Sequence, residues 1–147
     1  MRLVDVTREN WLRVVLLTTN KDNRHTLDEE FVASNAYSIV ESFFEESWTI
    51  KAIEHEGNMI GFAMYGIPEN GSFHEIRRFM IDRRFQGHGY GKLALALIVE
   101  DMQEQFGCEE IYLSTDPLNT KGKYVYESFG FVSTGQMLDD EELYVLR

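Results

Sequence analysis

Residues 83–92 read RRFQGHGYGK, with glycine at 87, 89 and 91, and the apolar run GKLALALIVEDMQEQFG starts inside that stretch. The segment before it, FHEIRRFMID, has the composition of a β-strand, so the local order is strand, glycine turn, helix. Few folds place such a turn between such partners. Glycines let successive backbone N–H groups close on an anion, and the helix N-terminus adds partial positive charge. Two common versions are excluded by the letters themselves. A P-loop follows its Gly-Lys with a hydroxyl residue, whereas Leu93 follows Gly91-Lys92. A dinucleotide fingerprint needs G-x-G-x-x-G with an acidic strand end further on, and neither is present.

Charge points to the same corner. Residues 1–76 carry six Lys/Arg against thirteen Asp/Glu, residues 77–92 five against one, and residues 93–147 three against eleven. A chain of formal charge −11 therefore holds a basic island around its glycine turn, as a polyanionic ligand requires. The same overall balance argues against nucleic acid as a partner, because phosphate backbones need a basic surface. No apolar run reaches a membrane span, and MRLVDVTREN has no signal-peptide core. The single cysteine, Cys108, excludes an internal disulfide and fits a reducing, cytoplasmic setting. It reads as a small buried apolar residue. The four histidines lack metal-ligand spacing, so no metal site is expected.

The 147 residues read as a single domain, 1–147, with no repeat or linker. VDVTRENWLRVVLLTT begins as a strand and continues as a helix that Thr7 can cap, with Trp11, Val14, Val15 and Thr18 at helical spacing. TLDEEFVASNAYSIVESFFEES predicts a second helix, capped by Thr26 or Asp28, with Phe31, Tyr37, Val40 and Phe44 near one face. A hairpin turns at Gly57-Asn58. Leu93, Leu97, Ile98, Met102 and Phe106 mark the third helix, with Gly107 as its stop. EEIYLSTD is a strand, NTKGKYVYESFG a short helix and FVSTGQMLDDEELYVLR a closing hairpin. Phe43, Phe44, Met59 and Met64 read as core, and the final strand, ELYVLR, as a possible homodimer edge. The order β-α-α-β-β-β-α-β-α-β-β predicts an α/β (α+β) protein on a mixed sheet.

Gln86, Gly89 and Gly91 form Q-x-x-G-x-G, and NTKGKYVYESFGF downstream places Asn119, Tyr126 and Gly130-Phe131 at a second fixed spacing. Together these motifs resemble the GNAT superfamily of acetyl-CoA-dependent N-acetyltransferases, over residues 74–131. The resemblance implies a sheet whose fourth and fifth strands splay apart to admit the cosubstrate acetyl-CoA. Backbone amides from Gln86 through Gly87, His88, Gly89 and Tyr90 to Gly91 would cradle its pyrophosphate. Arg83, Arg84, His88 and Lys92 would add charge, with Lys121 and Lys123 near the 3′-phosphate or pantetheine. Phe79 and Ile81 would pair with the pantetheine arm, Asn119 would touch it from the far side, and the Phe79 amide would face the thioester oxygen.

The resemblance also implies direct attack by the amine, with no covalent enzyme intermediate. An alkylammonium with a pKa of roughly 10.4 must lose a proton before it can attack, and Glu75, four residues before Phe79, is the candidate base. The alternative is a strand glutamate balancing Arg77 or Arg78. Tyr126 matches the family's acid, which protonates the departing thiolate; the alternative is a core tyrosine beside Val125, with Tyr124 as a substitute donor.

Asp22, Asp28, Glu29, Glu30, Glu41, Glu45 and Glu46 crowd the first two helices, and a carboxylate-lined groove would draw in a cationic amine. Asp28, Glu41 and Glu45 are the substrate-binding candidates. NMIGFAMYG and RRFMID are similar to segments of bacterial spermine/spermidine (diamine) acetyltransferases, which implies a polyamine substrate. Arg77 and Arg78 stand where some of those enzymes carry acids, so recognition would fall to Glu75 and the helical carboxylates. Acetylation of a peptide α-amine or an aminoglycoside, and a silent acetyl-CoA-binding regulator, are the competing functions.

Overall fold

The computed structural model describes residues 1–20, 34–69, 71 and 73–147. The proposed caps Thr26 and Asp28, together with Phe31 and the acids at 22, 28, 29 and 30, lie outside the described residues. In chain order the elements are β1 (Arg2–Asp5), α1 (Trp11–Val15), α2 (Asn35–Phe44), β2 (Trp48–His55), β3 (Asn58–Gly66) and β4 (His74–Ile81). A 3₁₀ turn (Arg83–Phe85) leads to α3 (Tyr90–Phe106), β5 (Ile111–Thr115), α4 (Thr120–Phe129), β6 (Val132–Leu138) and β7 (Glu141–Leu146). The order matches the one expected from the sequence. No helix of the described residues is long and apolar enough to cross a membrane.

The strands form one seven-stranded sheet, ordered β1-β2-β3-β4-β5-β7-β6. Only β4 and β5 run parallel, and they pair solely at His74↔Ile111 and Glu75↔Tyr112. Beyond Glu75 the two strands part, which opens a gap in the middle of the sheet. The final strand does not form an edge: β7 lies between β5 and β6, so the open margin belongs to β6. A closing hairpin permits either strand to sit inside, and β7 wins because its Leu143, Tyr144 and Val145 are buried, whereas Val132 and Met137 of β6 are exposed.

A β-bulge decides what faces where. Opposite β3, Met64 pairs with Arg78 but Tyr65 with Ile76, which leaves Arg77 as the extra residue. Regular alternation puts residues two apart on one face; the bulge shifts the phase by one. Ile76 and Phe79 accordingly pack with α3 and α4 on one side, whereas Met80 joins α1 and Trp48 on the other. Arg77 and Arg78, although adjacent, both reach Glu41 of α2.

Helix α3 starts at a left-handed Gly89 and stops at a left-handed Gly107. Its buried residues are Ala94, Leu95, Ile98, Val99 and Met102, whereas Leu93 is exposed, so the covered face is turned from the one the leucine spacing suggested. The cap of α1 is Asn10, and Thr7 instead supplies a carbonyl to the amide of Trp11. Trp11 is exposed, and Val14 and Leu17 carry the contact with the sheet.

The larger correction concerns α2. It is capped by Ser34, whose Oγ accepts from the Tyr37 amide at 3.1 Å. Tyr37, Val40, Phe43 and Phe44 are exposed. The buried positions are Asn35 and Ser38, because Asn35 Nδ2 donates to the Val14 carbonyl at 2.8 Å and so satisfies the end of α1. Met59 and Met64 are core as expected. Cys108 is buried in the α3 cluster, and burial pushes its thiol pKa up.

Candidate active site

The glycine turn is built to leave backbone bare. Gly87 and Gly89 have φ of +82° and +78°, and an added Cβ would meet nothing within 4 Å at either. Glycine is demanded there by the dihedral, not by crowding. No side chain caps α3, so its first amides face outward without an acceptor from that source. Gln86 Nε2 donates to the Ile81 carbonyl at 2.9 Å and pins the turn to the strand end.

A buried carboxylate secures the approach to the turn. Asp82 accepts from the Arg84 amide at 2.9 Å, Arg84 Nε at 2.8 Å and the Thr18 amide at 3.1 Å, and the Arg83 amide donates to the Thr18 carbonyl at 2.9 Å. Burial opposes its ionisation, but the bonds from Arg84 and Thr18 outweigh that and lower its pKa. Arg84 is thus tied to the protein, so the basic island is not wholly aimed at a ligand.

Beside the turn lies a cavity of about 720 Å³, within the range of ligand sites. Its walls are Phe79 to Ile81 of β4, the Gln86–Lys92 stretch except His88, and Asn119 to Tyr126 of α4 except Lys123. Lys92 and Lys121 line it; Lys92 Nζ donates to the Ser128 carbonyl at 2.8 Å. His88 is instead exposed and stacked against Tyr90, and Lys123 is paired with Glu142 at 2.7 Å. Asn119 caps α4, accepting from the Gly122 amide at 3.0 Å and donating to Thr115 Oγ1 at 3.0 Å. A Cβ on Gly122 would sit 2.4 Å from Asn119 Nδ2, so this glycine is fixed by close approach.

Tyr126 lines the cavity, is itself buried, and packs edge-on against Phe131 at 6.3 Å. Burial, helped by the Glu141 carboxylate, pushes its pKa up to about 12. Tyr124 also lines the cavity but is 75% exposed. Glu75 is buried, and burial raises its pKa above the ordinary carboxylate value despite the opposing pull of Arg77 and Arg78. It does not line the cavity. It is the last residue of β4 paired with β5, and it faces the α2 side through its contact with Arg77.

That second side holds a mixed ionic cluster. Arg77 bridges Glu41 at 3.1 Å and Glu75 at 3.3 Å, with its guanidinium carbon 4.9 Å from the Trp48 ring centre. Arg78 lies 3.6 Å from Glu41, and Trp48 Nε1 donates to Glu45 at 2.6 Å. Glu41 and Glu45 therefore meet Glu75 through Arg77 and Trp48. Asp28 lies outside the described residues. Glu141 was not singled out by the sequence, yet its charge acts on Glu75, Arg78 and Tyr126 together. Its only signal was the acidic run DDEE at the closing turn. Thr19, which lines the cavity from beyond α1, carried no signal.

Comparison with known proteins bears on this geometry. Residues 8–131 match the acetyltransferase (GNAT) family. The spermine/spermidine N(1)-acetyltransferase of Bacillus subtilis (strain 168) is 32% identical over 130 residues, covering 79% of this chain and 86% of the relative. Among solved structures, a spermidine N-acetyltransferase chimera from Vibrio cholerae and hSSAT aligns with a TM-score of 0.73 at 16% identity, over 99% of this chain and 93% of that one. The PaiA N-acetyltransferase of Thermoplasma acidophilum, in complex with coenzyme A, aligns with a TM-score of 0.70 at 16% identity, over 99% and 98%. At such identity the structural likenesses speak for the fold.

Proposed function

The chain belongs to the acetyltransferase (GNAT) family, and on that premise we propose that it acetylates a primary amine of a polyamine such as spermidine, using acetyl-CoA. Membership carries acyl transfer. The amine is our reading, and the 32% identity to a spermine/spermidine acetyltransferase supports it. One observation carries it on the structural side: Tyr126 and Phe79 to Ile81 of β4 line the cavity beside the glycine turn, and β4, which parts from β5 beyond Glu75, carries the Glu75 that Arg77 bridges to Glu41.

Acetyl-CoA fits the residues present. Bare amides from Gln86 to Gly91 suit a pyrophosphate, Lys92 and Lys121 suit its remaining phosphate, and Phe79, Met80, Ile81 and Val125 offer an apolar wall for the pantetheine arm. The cosubstrate supplies the activated thioester. The chain's own groups have three tasks: to align the amine, to take its proton and to return a proton to the departing sulfur. Glu75, with its raised pKa, accepts the ammonium proton directly or through water. Tyr126, whose phenol stays protonated at neutral pH, donates to the thiolate. Cys108 lies outside the cavity lining and takes no part.

An amine panel with acetyl-CoA tests this reading. We expect turnover with spermidine and spermine well above that with a peptide α-amine or an aminoglycoside. A preference for either of the latter replaces the polyamine. Cofactor binding without turnover on any amine indicates a silent regulator.

A further inference from the structure

We propose that Arg77 is the positioning residue of the base: it holds the Glu75 carboxylate in place and keeps it ionised for proton transfer near neutral pH. The inference deepens the amine-acetylation reading above and rests on it. Its observation is that one guanidinium spans two carboxylates, with Nη1 at 3.3 Å from Glu75 Oε1 and Nη2 at 3.1 Å from Glu41 Oε1.

Three elements fix that guanidinium. Glu41 reaches it from α2, Glu75 from its own strand, and the Trp48 ring of β2 lies 4.9 Å from its central carbon. Residues two apart share a face of a strand, which sets Arg77 beside Glu75. The bulge then brings Arg78 to the same side, where its Nη2 lies 3.6 Å from Glu41 Oε2. A planar fork between fixed partners is already oriented for the bonds it makes. Only Arg77 of the two arginines is hydrogen-bonded to Glu75 among the described residues; Arg78 donates Nη1 to the Arg77 carbonyl at 3.0 Å. Because Nη1 of Arg77 takes Oε1, the incoming proton is left to Oε2.

The charges explain why the base needs this partner. The Glu75 side chain is 11% exposed, and a carboxyl group so buried favours its neutral form, which cannot accept a proton. With Glu75 ionised, two carboxylates face two guanidiniums. Protonating it leaves both guanidiniums beside Glu41 alone, so the cluster resists the change. The surroundings add little else: Gly66 of β3 and Tyr112 of β5 are its strand partners, and the Tyr112 hydroxyl is bonded to Glu110. His74 packs on Phe106 of α3. Glu141 of β7, which accepts from the Ser114 hydroxyl, acts against ionisation. Burial still leaves the Glu75 pKa raised, and Arg77 limits the rise.

The test is the pH profile of kcat/KM for spermidine in wild type, Arg77→Gln and Arg77→Lys. On the acid limb Arg77→Gln should lose about tenfold relative to wild type, the low end for removing an adjacent opposite charge. The gap should close as pH rises. Arg77→Lys keeps the charge and should restore the wild-type limb. A residue that merely supports the fold would lower activity equally at every pH, and that outcome overturns the proposal, as does a lysine variant that follows the glutamine one. Arg77 does not line the cavity, so calorimetry of coenzyme A binding reports whether each variant is folded.

A second readout does not depend on turnover. In protein carrying ¹³C at the glutamate carboxyl carbons, the Glu75 resonance is the one missing from Glu75→Gln. Its titration without amine should move to higher pH in Arg77→Gln and return in Arg77→Lys. A titration that stays in place refutes Arg77 even if spermidine is acetylated. If no amine is acetylated, the functional reading fails while the titration still decides whether Arg77 keeps Glu75 ionised. If the titration moves but the acid limb does not, Glu75 is not the base and the proposal falls with it.

Discussion

In the proposed reaction Tyr126 is the acid and Glu75 the base, and their ionisation sets the first predictions. With its pKa pushed up to about 12, Tyr126 remains a proton donor across the neutral range. Tyr126→Phe should lower kcat about a hundredfold, the low end for a positioned acid, with far less effect on KM for acetyl-CoA. An unchanged kcat removes it from the mechanism. Glu75 must be ionised to act as base, and its folded pKa is raised by burial. The acid limb of kcat/KM should therefore fall at a pH above the ordinary carboxylate range and vanish in Glu75→Gln. The sign for stability follows from the same shift. A carboxyl group harder to ionise when folded costs stability as pH rises past its unfolded value, so Glu75→Gln should melt higher than wild type at pH 7. A lower midpoint would mark Glu75 as an ion-pair partner of Arg77 and nothing more. Gly89 gives a backbone test. With φ at +78° and open space around it, Gly89→Ala should cost about 1–2 kcal/mol through the dihedral alone, read as weaker coenzyme A binding by calorimetry.

At the scale of elements, the link between the strand end and the glycine turn is Asp82. Its pKa is lowered because bonds from Arg84 and Thr18 outweigh burial. The stability it contributes is present above the ordinary aspartate pKa and is lost as pH falls through the lowered value. Asp82→Ala strands those donors and should cost about 2 kcal/mol, with a raised KM for acetyl-CoA. A melting midpoint equal to wild type would contradict this. Elements were legible where the signal was local. The Gly57 turn and the Gly107 stop both lie within a few residues of what they shape, whereas Asn119, expected only as a cosubstrate contact, also caps α4. Faces were less legible. Tyr37, Val40 and Phe44 recur at helical spacing, yet α2 buries Asn35 and Ser38 because the Val14 carbonyl needs a donor. Hydrophobic spacing reports a stripe and cannot say what covers it. The bulge at Arg77 left no mark in the letters either, since it depends on how β3 and β4 register.

For the whole molecule, the basic island of residues 77–92 divides in two. Lys92 lines the cavity beside the glycine turn, Arg84 is tied to Asp82, and Arg77 with Arg78 turns to Glu41 on the opposite face. Charge counted along the chain located the island but not this partition, which arises from the bulge and from α2 packing over the sheet. The ionic cluster draws on three separate elements, α2, β2 and β4, so only the fold brings it together. If these carboxylates steer the amine, raising salt should increase KM for spermine more than for a neutral amine; equal responses would contradict steering. All of these expectations depend on the parting of β4 and β5 serving as the place where two substrates meet. The structure of the complex with coenzyme A tests that most directly. The account predicts the pyrophosphate against the amides of Gln86 to Gly91 and the thiol beside Tyr126; a ligand bound elsewhere, or a thiol directed away from the gap, would contradict it.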